Sequence, residues 1–190
     1  NMTLLGDSLV VIGLSAFAVF FVMNYAYALP MTLLAHKLAG IVASSANIIL
    51  KGAVISVVAG LLFRAYVGSW ALGVAYAGLF AMLGHAFPIY YGFKGGKGFL
   101  VCLSTVWFID WRAGAIATAV LVIMLPLTKY MSLSTMSALV AGAVAVAAFG
   151  GGLAVSIMYA VCVLFVIVRH KQNIVRLVQG TESKFSFGKK

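Results

Sequence analysis

The stretch that decides the fold is Gly84-His-Ala-Phe-Pro-Ile-Tyr-Tyr-Gly-Phe-Lys-Gly-Gly-Lys-Gly98, polar and glycine-rich between two apolar runs. Hydrocarbon satisfies neither irregular backbone nor an ammonium group, so this segment must line water, protein or a ligand. Around it the chain reads as membrane: 64% of its 190 residues are hydrophobic, 8% are charged, and the mean hydropathy is +1.15. That composition predicts an all-α, polytopic integral membrane protein, with residues 1–190 as one membrane-embedded domain.

Working outward from the glycine run, apolar segments fall at about 8–29, 39–63, 70–90, 98–110, 113–128, 131–148 and 152–168, or about seven transmembrane helices with short loops. The first ends in Ala26-Tyr-Ala28, a pattern compatible with signal cleavage. Its leader carries Asp7 and no lysine or arginine, so it is read as a spanning helix. The fourth is short. About thirteen helical residues rise only ~20 Å against a hydrocarbon core of ~30 Å, so it lies between other helices, extends through its flanks, or is re-entrant.

If the fourth segment crosses, Lys37, Lys94, Lys97, Lys129, Arg169, Lys171, Arg176, Lys184, Lys189 and Lys190 fall on one side. Arg64 and Arg112 fall on the other, and Lys51 sits inside a helix. The positive-inside bias then puts the C-terminus and the basic tail, residues 169–190, in the cytoplasm. The formal charge of +10 is thereby explained by orientation and gives no reason to expect nucleic-acid binding. Cys102 and Cys162 lie in apolar runs without metal or redox spacing and are read as packing residues.

Within the glycine run, Gly95, Gly96 and Gly98 permit close backbone approach, and successive amides there can form an anion-binding nest flanked by Lys94 and Lys97. The competing reading is an inside-positive turn. It is no Walker loop, because Gly98 rather than Ser or Thr follows Lys97. Pro88 should break the preceding helix, and His85 just inside it can face a phosphate or a neighbouring helix.

A second polar constellation is Arg169-His-Lys-Gln-Asn-Ile-Val-Arg-Leu-Val-Gln-Gly180. Continued as a helix, it makes His170 and Asn173 neighbours, sets Arg169 and Arg176 seven apart on the adjoining surface, and leaves Ile174, Leu177 and Val178 as an apolar stripe. This is an amphipathic segment at the interface, with Gly180 as its stop, serving a polar site or anchoring to anionic lipid. Asn47 and Lys51 share a face of the second helix, where the lysine meets a cavity, meets an anion or snorkels. Ser132 and Ser134 are helix-start residues on the same side as the glycine run.

Taken together, these motifs resemble the bacterial acyl-phosphate:glycerol-3-phosphate acyltransferases of the PlsY type, over about residues 36–190. Gly84-His85-x-Phe87-Pro88 with Phe93-Lys-Gly-Gly-Lys-Gly98 is similar to the family's central motif. Arg169-His170-x-x-Asn173-Ile174-x-Arg176-Leu177-x-x-Gly180-x-Glu182-x-Lys184 resembles its third, Tyr130-x-Ser132-Leu133 a shorter signature, and Lys51-Gly52 part of another. The family's first motif is not recognisable at residues 22–30, which read Val-Met-Asn-Tyr-Ala-Tyr-Ala-Leu-Pro. Asn47 replaces an expected acidic residue, and Leu100 and Val101 replace a small residue and a threonine.

The resemblance implies acyl transfer from acyl phosphate to the 1-hydroxyl of sn-glycerol 3-phosphate in phospholipid synthesis at a bacterial inner membrane. It implies membrane lipids as surroundings and an acyl-phosphate-producing enzyme as a partner. The substrate-binding candidates are Lys94, Gly95, Gly96, Lys97, Gly98, Lys51, Ser132, Arg169 and Arg176. His170, Asn173 and His85 are the catalytic candidates. Asp7 and Asp110 fall on the wrong face and Glu182 lies in the tail, so no carboxylate base is expected. The proton goes to a substrate phosphate oxygen, to His85 or to His170. No metal or cofactor is expected. The alternative function is a homologue that binds phosphorylated lipid precursors or scaffolds membrane partners without turnover; transport is weaker, for want of an internal repeat.

Overall fold

The computed structural model describes residues 40–88, 92–93, 95–149 and 151–185, with side chains from Ile48 onward except Lys51. The segment expected at 8–29, Lys37, Lys94, Lys189 and Lys190 lie outside the described residues, as do the side chains of Asn47 and Lys51. Among the described residues seven helices run in order: α1 (Gly40–Tyr66), α2 (Trp70–Ala86), α3 (Phe99–Ile109), α4 (Trp111–Thr128), α5 (Met131–Ala148), α6 (Leu153–Arg169) and α7 (Lys171–Val178). Every regular element among the described residues is helical, as the composition predicts.

Local chemistry sets the helix ends. Ser69 caps α2 by accepting from the Leu72 amide at 3.3 Å. The helix stops at Ala86, earlier than the apolar run, because Pro88 disfavours helical backbone at Phe87. Asp110 alone separates α3 from α4, and its carboxylate accepts from the Arg112 amide at 2.8 Å. Among the described residues three stretches are long and apolar enough to cross a membrane: Ile48–Tyr66, Trp111–Thr128 and Met131–Ala148. A fourth candidate is α6 with α7, bent by 59° at their junction.

The short α3 lies between other helices, touching α1, α2, α4, α5 and α6. Its Val101, Cys102, Ser104, Thr105 and Val106 are all buried, so its limited length is matched by enclosure in protein. Small residues bring α2 against it: a Cβ added to Gly78 would lie 2.6 Å from Thr105 Oγ1. Lipid tails are as apolar as leucine, so helices in a membrane associate through such close packing and not by escape from solvent. Tyr159, Phe63, Met82 and Leu139 fill the interior, while Leu61, Val122, Val144, Leu153 and Leu164 face outward as a lipid-facing surface does.

The two ends of the bundle differ in charge. At one, Trp70 Nε1 donates to the Phe108 carbonyl at 2.7 Å, and Arg112 pairs with Asp110 at 2.8 Å while stacking on Phe149. At the other, hydrogen bonds draw the glycine run, the α4–α5 turn and the C-terminal segment together. Lys97, Lys129, Arg169 and Arg176 therefore share one end, as the loop charges imply.

Candidate functional site

The site is built where the start of α3, the start of α5 and the turn after α7 meet. Gly98 takes a left-handed conformation (φ 84°) and opens α3, which projects Lys97 from the end of the bundle. Lys97 Nζ donates to Asn173 Oδ1 at 2.7 Å, joining the central motif to the C-terminal one. Burial pushes the ammonium below its ordinary pKa; Glu182 nearby opposes that shift and Arg176 adds to it.

Glu182 arrives by a helix stop. Gly180, at φ 69°, lets the Thr181 amide donate back to the Arg176 carbonyl at 2.8 Å and its own amide donate to Leu177, a Schellman turn. The turn folds the tail over α7 and buries Glu182. One carboxylate oxygen accepts from Asn173 Nδ2 at 2.7 Å and from Ser132 Oγ at 2.8 Å, and the other from Arg176 Nε at 2.7 Å. The Arg176 bond, helped by Asn173, holds the Glu182 carboxyl down at about 2. A carboxylate so far below neutrality keeps its charge and is a weak base, so it serves to fix its donors. Phe185 extends the strap by donating its amide to the Lys129 carbonyl at 2.6 Å.

The bend at His170 changes the arrangement expected of a continuous helix. Arg169 ends α6 and Arg176 lies on α7, so they do not align on one surface. Arg169 Nη2 donates to the carbonyls of Gly95 and Gly96 at 3.0 and 3.2 Å and sits 5.5 Å over the Phe87 ring. His170 is buried, with Nδ1 2.8 Å from the Val166 carbonyl. A carbonyl can only accept, so Nδ1 is the donor, and in the neutral ring Nε2 is left as an acceptor.

The glycine run packs against the end of α2. Gly95 donates its amide to the Ala86 carbonyl at 3.2 Å, and a Cβ on Gly96 would overlap His85 Nε2. His85 therefore lies beside the run. Ser132 is not a cap: Tyr130 holds that position without a side-chain bond, and the Ser132 hydroxyl is committed to Glu182.

Thus Lys97, Ser132, Asn173 and Arg176 form one network through Glu182, and Arg169 and His85 hold Gly95 and Gly96. Glu182 falls within the C-terminal motif of the resemblance, but sequence reasoning gives it no role at the site. Its signal was position: a carboxylate two residues past a helix-stopping glycine, in a C-terminal segment otherwise rich in cations.

The chain is 39% identical over 106 residues to a glycerol-3-phosphate acyltransferase of Francisella philomiragia, covering 56% of this chain and 52% of that one. It is 38% identical over 109 residues to one of Brucella anthropi, covering 57% and 53%. The chain thus spans about half the length of the curated relatives it matches. Its fold matches the crystal structure of PlsY, an integral membrane glycerol 3-phosphate acyltransferase, in its glycerol 3-phosphate form. The TM-score is 0.77 with 22% identity, covering 94% of this chain and 96% of that one. The lysophosphatidic acid form gives 0.77 and 23% over the same shares. The family model described as glycerol-3-phosphate acyltransferase matches residues 30–180, a span that holds the glycine run and Ser132, Asn173 and Arg176, so the chain belongs to the glycerol-3-phosphate acyltransferase family.

Proposed function

We propose that this protein transfers an acyl group from an acyl phosphate to the 1-hydroxyl of sn-glycerol 3-phosphate, releasing lysophosphatidate and inorganic phosphate. One observation carries the reading: Lys97, Asn173, Glu182, Arg176 and Ser132 form a single hydrogen-bonded network beside the glycine run. An acyl phosphate is already activated, so the protein needs chiefly to neutralise phosphate, hold the hydroxyl against the carbonyl carbon and stabilise developing charge.

In this scheme the amides of Gly96 to Gly98 with Lys94 and Lys97 take the phosphate of glycerol 3-phosphate. Asn173 fixes Lys97, and Arg176, half-exposed beyond Glu182, faces the donor phosphate. The hydroxyl oxygen attacks the acyl carbon, the bond from that carbon to the phosphate oxygen breaks, and the proton passes to a phosphate oxygen or to His170 Nε2. The cationic end faces the cytoplasm of a bacterial inner membrane, where an acyl-phosphate-producing enzyme supplies the donor.

Purified protein given radiolabelled glycerol 3-phosphate and palmitoyl phosphate forms lysophosphatidate. A folded sample that yields no product beside an active relative overturns the proposal. The unfamiliar sequence at residues 22–30 favours a second reading, binding without turnover. Calorimetric binding of glycerol 3-phosphate in a sample without product would support it.

A further inference from the structure

Arg169 stands apart from the Glu182 network, and its guanidinium is directed at backbone. It holds the carbonyls of both Gly95 and Gly96, at 3.0 and 3.2 Å, and is backed by the Phe87 ring. No peptide bond among the described residues is cis. In a trans peptide the C=O of one residue and the N–H of the next point in opposite directions. Two consecutive carbonyls fastened to one guanidinium therefore turn the amides of Gly96 and Lys97 the other way, as a pair of nearly parallel donors. Those donors adjoin the start of α3 and the Lys97 ammonium.

Carbonyl oxygens in the reverse orientation would repel a phosphate, so whatever fixes their direction decides whether the run attracts or rejects an anion. On its other side Gly95 is tied by the hydrogen bond from its amide to the Ala86 carbonyl, and the His85 ring packs close against Gly96. Neither contact fixes the direction of the Gly96 carbonyl. Arg169 does, because the two hydrogens of its Nη2 group reach both carbonyls while the planar guanidinium is held over the Phe87 ring, a placement that the compact ammonium of lysine does not reproduce.

We infer that Arg169 is a positioning residue for glycerol 3-phosphate: it binds no substrate itself and orients the Gly96 and Lys97 amides toward the substrate phosphate. The inference rests on the function proposed above. It separates the two phosphates, since orientation of the run governs the acceptor substrate and leaves the acyl phosphate untouched.

The test uses the full chain in detergent with R169Q, R169K and R169A. R169Q raises KM for glycerol 3-phosphate by at least about tenfold, the loss expected when one charge-assisted amide bond is misaligned, and leaves KM for palmitoyl phosphate within about twofold. R169K, which keeps the charge without the planar group stacked on Phe87, stays closer to R169Q than to wild type. Millimolar guanidinium restores R169A and has no such effect on R169K. Calorimetry with glycerol 3-phosphate reads the same geometry without turnover, so a wild type that binds but does not react refutes the proposed transfer and leaves this inference standing if R169Q weakens binding. An R169Q protein with wild-type KM and Kd, a wild type that does not bind, or parallel loss of every kinetic parameter with no guanidinium rescue overturns it.

Discussion

Replacing Glu182 by alanine tests the C-terminal network at its centre. The substitution removes three accepted hydrogen bonds, and their contributions differ. Arg176 is 45% exposed and regains water, so its bond contributes at most about 1 kcal/mol. Asn173 and Ser132 are buried, and each loses the acceptor for a donor that water reaches poorly. An orphaned donor costs about 1–3 kcal/mol, but the Ser132 hydroxyl can rotate to another acceptor while the Asn173 amide cannot. The expected loss is therefore about 2–4 kcal/mol, a fall in melting temperature of roughly 4–16 °C for a chain of this size. Cys102 and Cys162, the chain's two cysteines, are both buried, so a thiol-reactive fluorophore reports unfolding directly. E182D should recover part of the loss. An E182A protein that melts within about 2 °C of wild type would refute the claim that Glu182 holds this end together.

Three further outcomes follow from the same end of the bundle. Because the Glu182 pKa is depressed from 4.5 to about 2, its stabilisation is complete above pH 4.5 and is lost as pH falls toward 2; melting temperatures measured across that window should drop more steeply for wild type than for E182Q. Gly96→Ala puts a methyl group into His85 Nε2 and should cost about 1–3 kcal/mol together with glycerol 3-phosphate affinity, read by thermal melts and calorimetry. Lys97→Met removes the point charge beside the glycine run and should lower kcat/KM for glycerol 3-phosphate by about a hundredfold, with K97R retaining part of it in steady-state kinetics.

Much of the scaffold is legible in one dimension because hydrocarbon tolerates few alternatives to helix. The apolar run at 131–148 is α5, and Pro88 announces the end of α2 two residues before it. Lysines and glycines set in such a background mark the central motif without help from tertiary structure. Two features needed three dimensions. The apolar and polar pattern through Arg169 and His170 gives no sign of a 59° bend, so a straight helix placed Arg169 beside Arg176 when their partners are different. Glu182 follows a helix stop in a polar tail, and periodicity ends where the Schellman turn begins. Only the turn's geometry, set by Gly180, brings that carboxylate back over Asn173.

The late position of Glu182 also orders the assembly of the protein in time. The apolar helices α1 to α6 all precede Glu182 in the chain, so each leaves the ribosome before the carboxylate that joins Ser132, Asn173 and Arg176. The helices therefore reach the bilayer with an open, uncompensated cationic end, and that end closes only after residue 182 has left the ribosome. A chain ended at Gly180 should integrate, resist extraction as a membrane protein does, and lack a formed site.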